Sequence, residues 1–443
     1  AALIGCGAAQ TDTGAAEPQA EEKAVETVAE PTPEPTPTVE ELIEEAMNEG
    51  KSYYYAEDGK TVDMDKAMEA FRKAADLGSA EGYYYIGRIH ERAEEYEEAK
   101  ASYDKAVDMG SSLAKFAIGE MYLREDAGLG VDYDKAQALF EEAVADGCVE
   151  ANVGLGDMYQ MGYGVDEDQL KAIEYFEKAA AGQDKEWLTY AYGSLCSVYA
   201  GTGDYDGDMA KLTANAEKVV ESCKDWNPEY ILWAADTFYD IDIVDQAIEY
   251  YQMAGDLGVS DGYDYLGHIY ASWGGQTEEY KDPAKAIEYY EKAAGMDNSD
   301  AMVNLAIMYR DGIGVDEDLA KTAEWYEKAA ALEDKYALNE LAYMYQYGEG
   351  VDKNMDKAIE LFNKGVELGD PQAMYNLGSV YYNGDDVEQD IAKAGQLLVQ
   401  TIEAAEEDSD IYKEAVKQLK KMIKNGEVTE ADAASVIGAV LGN

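Results

Sequence analysis

The feature that most restricts what this chain can fold into is an internal repeat with a period of about 36 residues. Three stretches align without internal gaps, the third starting one residue earlier: "ANVGLGDMYQMGYGVDEDQLKAIEYFEKAA" (Ala151 to Ala180), "AMVNLAIMYRDGIGVDEDLAKTAEWYEKAA" (Ala301 to Ala330) and "YALNELAYMYQYGEGVDKNMDKAIELFNKG" (Tyr336 to Gly365). Each begins with a leucine, a small residue and a tyrosine: Leu155-Gly156-Tyr159, Leu305-Ala306-Tyr309, Leu341-Ala342-Tyr345. At positions i, i+1 and i+4 these lie along one face of a helix. The small residue leaves room for a second helix to approach. That second helix carries Ala172, Phe176 and Ala179 at helical spacing.

The connector "GYGVDED" (Gly162 to Asp168) recurs as "GLGVDYD", "GIGVDED" and "GEGVDKN". A phosphate-binding loop would need G-x-x-x-x-G-K-[ST] after a strand, and no such string exists. A calcium loop would need acids at alternate positions, a central glycine and a closing glutamate. Here the glycines come first and the acids run straight into a helix. The spacing therefore predicts a turn: glycine breaks the first helix, and an acid caps the second where the helix dipole favours negative charge.

Weaker copies occupy the rest of the chain, at Ile86-Gly87, Ile118-Gly119-Tyr122, Leu195-Cys196-Tyr199, Ala234-Ala235-Phe238, Leu266-Gly267-Tyr270 and Leu377-Gly378-Tyr381. The second and sixth units have shortened turns, the seventh has a long loop, and the fifth is degenerate. About ten helical pairs run from Val39 to Ala405. The L-G-x-x-Y slots, the G-x-G-V loop with its trailing acid, the Lys-Ala pair and the terminal Ala-Ala resemble the Sel1-like repeat family, a relative of the tetratricopeptide repeats. The resemblance implies an all-α, right-handed solenoid of stacked helix-turn-helix repeats, acting as an adaptor rather than on a substrate. Some secreted members carry a disulfide in each repeat. This chain lacks those cysteines, so stacking alone is expected to stabilise it. Residues 406–443 read as a two-helix terminal cap, the second helix opened by Thr429 with Asp432 three positions on.

The beginning of the chain reads differently. Leu3-Ile4-Gly5-Cys6 resembles the end of a bacterial lipoprotein signal peptide, so residues 1–5 are expected to be its remnant and Cys6 the lipidated residue. Two acyl chains there would anchor the protein to a membrane on its extracytoplasmic side. Residues 6–38 contain five of the eight prolines, including "EPTPEPTPT", and suit an extended tether. Acids outnumber bases 93 to 35, a formal charge of −58, which excludes nucleic acid and anionic membrane surfaces as natural partners. Cys148, Cys196 and Cys223 fit no zinc spacing and are expected to be buried small residues.

Catalytic chemistry finds no foothold. The chain has two histidines, no nucleophile elbow and no H-E-x-x-H, and the resemblance calls for no cofactor or metal. His90 occupies a tyrosine packing slot. His268 faces the predicted inner curve, with Asp264 one turn earlier as an ion-pair partner.

The unusual residue is tyrosine, with 37 copies against six phenylalanines. Counting from each Leu-small pair places Tyr84, Arg88, His268, Arg310, Asn339, Tyr343, Tyr347, Tyr375 and Tyr382 on the concave face. Tyrosine combines large contact area with a polar tip, which suits recognition. Three of the five arginines, Arg88, Arg92 and Arg310, fall on the same line. The expectation is a lipid-anchored bacterial surface scaffold that binds a protein or peptide along this groove. A surface ligand-binding or glycan-binding protein using the same tyrosines is the alternative.

Overall fold

The computed structural model describes residues 37–56, 61–201, 207–272, 277–384, 386–407 and 409–436. Cys6 and most of the predicted tether lie outside them. Ten antiparallel helix pairs follow one another: α1 (Val39–Tyr54) and α2 (Met64–Asp76), α3 (Ala80–Arg92) and α4 (Tyr96–Asp108), α5 (Ser112–Leu123) and α6 (Tyr133–Ala145), α7 (Asn152–Met161) and α8 (Gln169–Ala179), α9 (Lys185–Tyr199) and α10 (Met209–Cys223). The second five are α11 (Tyr230–Asp240) and α12 (Val244–Asp256), α13 (Ser260–Ala271) and α14 (Pro283–Ala294), α15 (Ser299–Asp311) and α16 (Leu319–Ala331), α17 (Lys335–Tyr347) and α18 (Met355–Glu367), α19 (Pro371–Asn383) and α20 (Ile391–Ala404). A last helix, α21 (Asp410–Asn425), closes the stack, and no strand occurs among the described residues. This is the all-α helical solenoid expected.

The "GYGVDED" connector shows how one pair is built. Gly162 ends α7 in the left-handed region at φ 71°, and Gly164 repeats that conformation at φ 70°. The Tyr163 N–H donates to the Met158 carbonyl at 2.9 Å, and the Asp168 N–H donates to the Tyr159 carbonyl at 2.9 Å. The Asp168 carboxylate then accepts the Lys171 N–H at 3.1 Å, capping α8. Asp132, Asp318, Asn354 and Asp390 repeat this cap on α6, α16, α18 and α20. The loop is a turn and a cap.

The helices of a pair pack through an aromatic ring set beneath the small residue. A Cβ added at Gly156 would collide with the Phe176 ring, and at Gly119 with Phe140. All six phenylalanines are sealed in the core, so truncating one such as Phe176 removes roughly 3–5 kcal/mol. The lysine of the Lys-Ala pair has a role of its own. Its ammonium lies over the ring of the first helix's tyrosine: Lys171 over Tyr159 (4.7 Å to the centroid), Lys357 over Tyr345 (4.5 Å), Lys393 over Tyr381 (4.1 Å).

First helices of neighbouring repeats also touch each other: α5 with α7, α7 with α9, α9 with α11, α13 with α15. Second helices show no comparable approach among the described residues. The first helices therefore line the inner, tighter curve. At the far end α21, Val428, Ala433 and Val436 cover α20. The capping box forms, with the Asp432 N–H donating to Thr429 Oγ1 at 3.2 Å and the Thr429 N–H to Asp432 Oδ2 at 3.0 Å. Residues 430–436 form consecutive turns. The rest of the expected second cap helix, beyond residue 436, lies outside the described residues.

Candidate functional site: the inner face of the solenoid

The first four repeats coil so tightly that α9, in repeat five, returns across the inner faces of α1, α3 and α5. Trp187 on α9 packs edge-on to Phe116 at 4.5 Å between centroids, and its indole N–H donates to the Tyr84 hydroxyl at 3.1 Å. Glu186 accepts Arg88 at 2.7 Å, Arg92 at 3.1 Å and the Tyr54 hydroxyl at 3.5 Å. Asp184, which caps α9, accepts the hydroxyls of Tyr55 and Tyr85, each at 3.3 Å. The Arg88 guanidinium lies over Trp187 at 4.9 Å, and Arg92 over Tyr54 at 4.3 Å.

Burial alone would raise the Glu186 carboxyl, but Arg88 and Arg92 together outweigh it and hold the group below the usual range. Asp184 moves the other way, because burial dominates and Glu186 adds like charge. Tyr84 is 1% exposed and Arg88 9%. Both were expected on an open concave face, and both are instead consumed by this internal contact. Equivalent positions along a solenoid are accessible only while the superhelix stays open.

From α13 onward no other helix crosses the inner face among the described residues, and its side chains join repeat to repeat. Asn304 donates to Asp264 Oδ1 at 3.1 Å, and its Nδ2 lies 3.0 Å from His268 Nε2. His268 Nε2 is also 3.3 Å from Asp264 Oδ2, the expected ion-pair geometry. Arg310 pairs with Asp311 at 2.8 Å and reaches Glu340 on α17, the first helix of the next repeat, at 3.6 Å. The hydrogen bond to Asp311 raises the Arg310 pKa further. Asn339 donates to Asp370 at 2.5 Å and accepts from Asn376 at 3.2 Å. Asn376 in turn accepts the Tyr343 hydroxyl at 2.8 Å. Asn339 and Asn376 are buried, so Asn339 staples repeats nine and ten together rather than facing outward.

The four expected tyrosines divide into two pairs. Tyr343 and Tyr347 stack, their rings nearly parallel (11°) with centroids 6.2 Å apart, and Tyr347 is 62% exposed. Tyr375 and Tyr382 lean on the terminal cap, where the Tyr382 hydroxyl reaches Glu427 at 3.4 Å. Two exposed tyrosines that the counting rule did not select, Tyr265 and Tyr336, also lie on first helices of this half. Tyr265 sits one position from a counted slot, and Tyr336 three positions before the slot of Asn339. Tyr265 packs against Tyr251, and Tyr336 against Tyr326.

His90 is half-buried in its packing slot and bonds Glu95 across the shortened turn at 2.5 Å. Cys148, Cys196 and Cys223 are buried and free, and burial pushes each thiol up to about 12. Among the described residues no group of three or more His, Cys, Asp or Glu is placed to hold a metal, and no helix is long and apolar enough to cross a membrane.

A family model described as Sel1 repeat matches residues 112–148, 149–184, 244–259, 260–298, 299–334, 335–370 and 371–404. A tetratricopeptide repeat model matches residues 63–114. No curated protein matches the chain. Among solved structures, one similar chain is a protective antigen of uropathogenic Escherichia coli strains displaying an SLR fold, at 22% identity over 89% of this chain and 86% of that one, with a TM-score of 0.39. A Sel1 repeat protein from Oxalobacter formigenes is 21% identical over 80% and 98% of the two chains, with a TM-score of 0.41. Yeast Tom70 is 13% identical over 90% and 99%, with a TM-score of 0.39.

Proposed function

The chain belongs to the Sel1 repeat family, whose repeats are generally protein-interaction modules, and on that premise we propose that it is a lipid-anchored extracytoplasmic scaffold. It holds an extended segment of a protein partner against the inner face of repeats seven to ten. The observation that carries this reading is the Tyr343–Tyr347 stack. An aromatic pair with one ring 62% exposed is held rigidly by the Tyr343–Asn376 bond. A preorganised aromatic surface of this kind gives contact area at little entropic cost. Arg310 and Tyr336 extend the same surface toward repeat eight. A formal charge of −58 favours a partner segment carrying lysine or arginine.

Anchoring rests on the Leu3-Ile4-Gly5-Cys6 string and the proline-rich stretch that follows it. The test has two arms. Cross-linked partners captured by the intact protein should be lost with a Tyr343→Ala, Tyr347→Ala double variant of unchanged helicity. Equal capture by both would move the site elsewhere. Metabolic labelling with an alkynyl fatty acid should mark the protein and fail with Cys6→Ser, and label retained in that variant would remove the anchor.

A further inference from the structure

A cavity of about 220 Å³ opens on the inner face of the first half where α3, α5, α9 and α11 converge. Its charges do not balance. Arg88 is engaged by Glu186. Arg124 is engaged by Glu91 at 3.2 Å and by Asp126 at 2.9 Å, and Glu91 also accepts the Tyr103 hydroxyl at 2.7 Å. Two carboxylates remain. Asp157, on the neighbouring α7, accepts the Tyr190 hydroxyl at 3.2 Å and no other donor among the described residues. Glu120 lines the cavity, and its buried Oε1 meets no donor among the described residues. A buried carboxylate oxygen without a donor is costly, and it calls for a cation or a proton.

We propose that this cavity is a binding site for the ammonium group of a primary amine, received by Glu120 between the aromatic walls of Trp187, Tyr190 and Tyr230. The chemistry selects an ammonium over other cations. A guanidinium is best held by a bidentate carboxylate, whereas one free oxygen suits a point donor with three N–H groups. A divalent metal would need more oxygen ligands than are gathered here. The aromatic faces add cation–π attraction. The volume lies below the roughly 300–1,000 Å³ of drug-sized pockets and suits an alkylammonium chain.

Proton linkage supports the same reading. Burial, and then the neighbouring Asp157, hold the Glu120 carboxyl well above its ordinary range, and burial raises Asp157 to about 7. Arg88 and Glu91 on α3, Arg124 after α5, and Glu186 and Tyr190 on α9 are the other charged or titratable groups facing the pair, with Tyr230 on α11. Both carboxyls therefore favour the protonated form more than an exposed acid does. An arriving ammonium releases their protons, so affinity rises with pH.

The ammonium could belong to a free amine or to a lysine side chain of a bound protein, and calorimetry on the full chain separates the two. n-Butylammonium chloride and the peptide acetyl-Gly-Gly-Lys-Gly-Gly-amide would be titrated at pH 8 in about 0.15 M salt, which screens the general acidic surface. Saturable 1:1 binding of either supports the site, and the tighter ligand names the source. We expect proton release, seen as a buffer-dependent heat, and at least about a tenfold loss of affinity in Glu120→Gln. Asp157→Asn, expected to weaken binding in the same direction, stands in should that variant not fold. Three results would each overturn the proposal: neither ligand saturating in the millimolar range, the norleucine peptide binding as well as the lysine peptide, or Glu120→Gln binding unchanged. Failure of Tyr343→Ala, Tyr347→Ala to lose a partner would leave it untouched, because that stack lies in the other half.

Discussion

The two halves of the inner face are built from the same repeat yet end in opposite states. In repeats one to five the first helices turn inward on α9, which fills the curve with Trp187 and with the acids Asp184 and Glu186. In repeats seven to ten the same positions join only their immediate neighbours, through Asn304, Asn339 and Asn376, and Tyr347 stands in solvent. The difference lies in repeat five. The Sel1 model leaves residues 185–243 unmatched, and α9 is the helix that makes contacts on two sides at once. A repeat that packs inward as well as along the stack must abandon the consensus that serves stacking alone. What looks like decay in the sequence is a second packing surface.

The comparison breaks most readily at Glu186. Glu186→Ala leaves Arg88 buried without its partner and should cost about 3–5 kcal/mol. Hydrogen exchange should accelerate through α1–α10 and stay unchanged in α15–α20, because repeat arrays transmit stability mainly between neighbours. Uniform acceleration along the whole chain would show that the halves are not separate. Tyr84→Ala should cost about 3–4 kcal/mol in the same half, whereas Tyr347→Ala, at an exposed ring, should change stability by less than about 0.5 kcal/mol.

Two carboxylates of the first half should respond to pH with opposite signs. Glu186 has a lowered folded pKa, so its contribution is present above the ordinary carboxylate range and is lost on acidification. Asp157 is raised from 3.8 to about 7, so its contribution is complete below the unfolded value and disappears as pH rises through 7. Asp157→Asn should therefore stabilise the protein at pH 8 by roughly 1–2 kcal/mol and flatten the melting-temperature profile between about pH 4 and 7. A steeper profile would contradict the burial that raises Asp157. In the second half, Asn376→Ala should cost about 1–2 kcal/mol by releasing Asn339 and Tyr343. The smallest expected effect is at Gly378, where an added Cβ meets Leu397 at an ordinary 3.4 Å, so Gly378→Ala should be near neutral. Gly156→Ala collides with Phe176 and should not be.

Much of this was legible before the fold was known. The helix pairs, the turn at Gly162–Asp168, the acid cap and the small residue under each ring follow from local spacing, because each is settled within one repeat. The curvature was not legible, since it accumulates from small angles between repeats and no single residue encodes it. Tyr84 and Arg88 were consequently placed on an open face that α9 covers, whereas Tyr347 on α17 is exposed. Asn339 was misplaced for a related reason: its partners Asp370 and Asn376 belong to the next repeat. A signal for the closure did exist. Tyr53–Tyr55, Tyr83–Tyr85, Arg88 and Arg92 concentrate aromatic and cationic side chains in repeats one and two, opposite the two tryptophans Trp187 and Trp226 of the degenerate repeat. The lysine of the Lys-Ala pair was visible as a pattern, but its place over the tyrosine ring required the geometry of the turn.

The measurement that tests the account most directly is hydroxyl-radical footprinting of the full-length protein, read tyrosine by tyrosine by mass spectrometry. The account predicts rapid labelling of Tyr347, with Tyr336 and Tyr265 following, and strong protection of Tyr54, Tyr84 and Tyr85. Labelling of Tyr84 and Tyr85 at the rate of Tyr347 would mean that α9 does not close the first half, and the division of the inner face would be wrong.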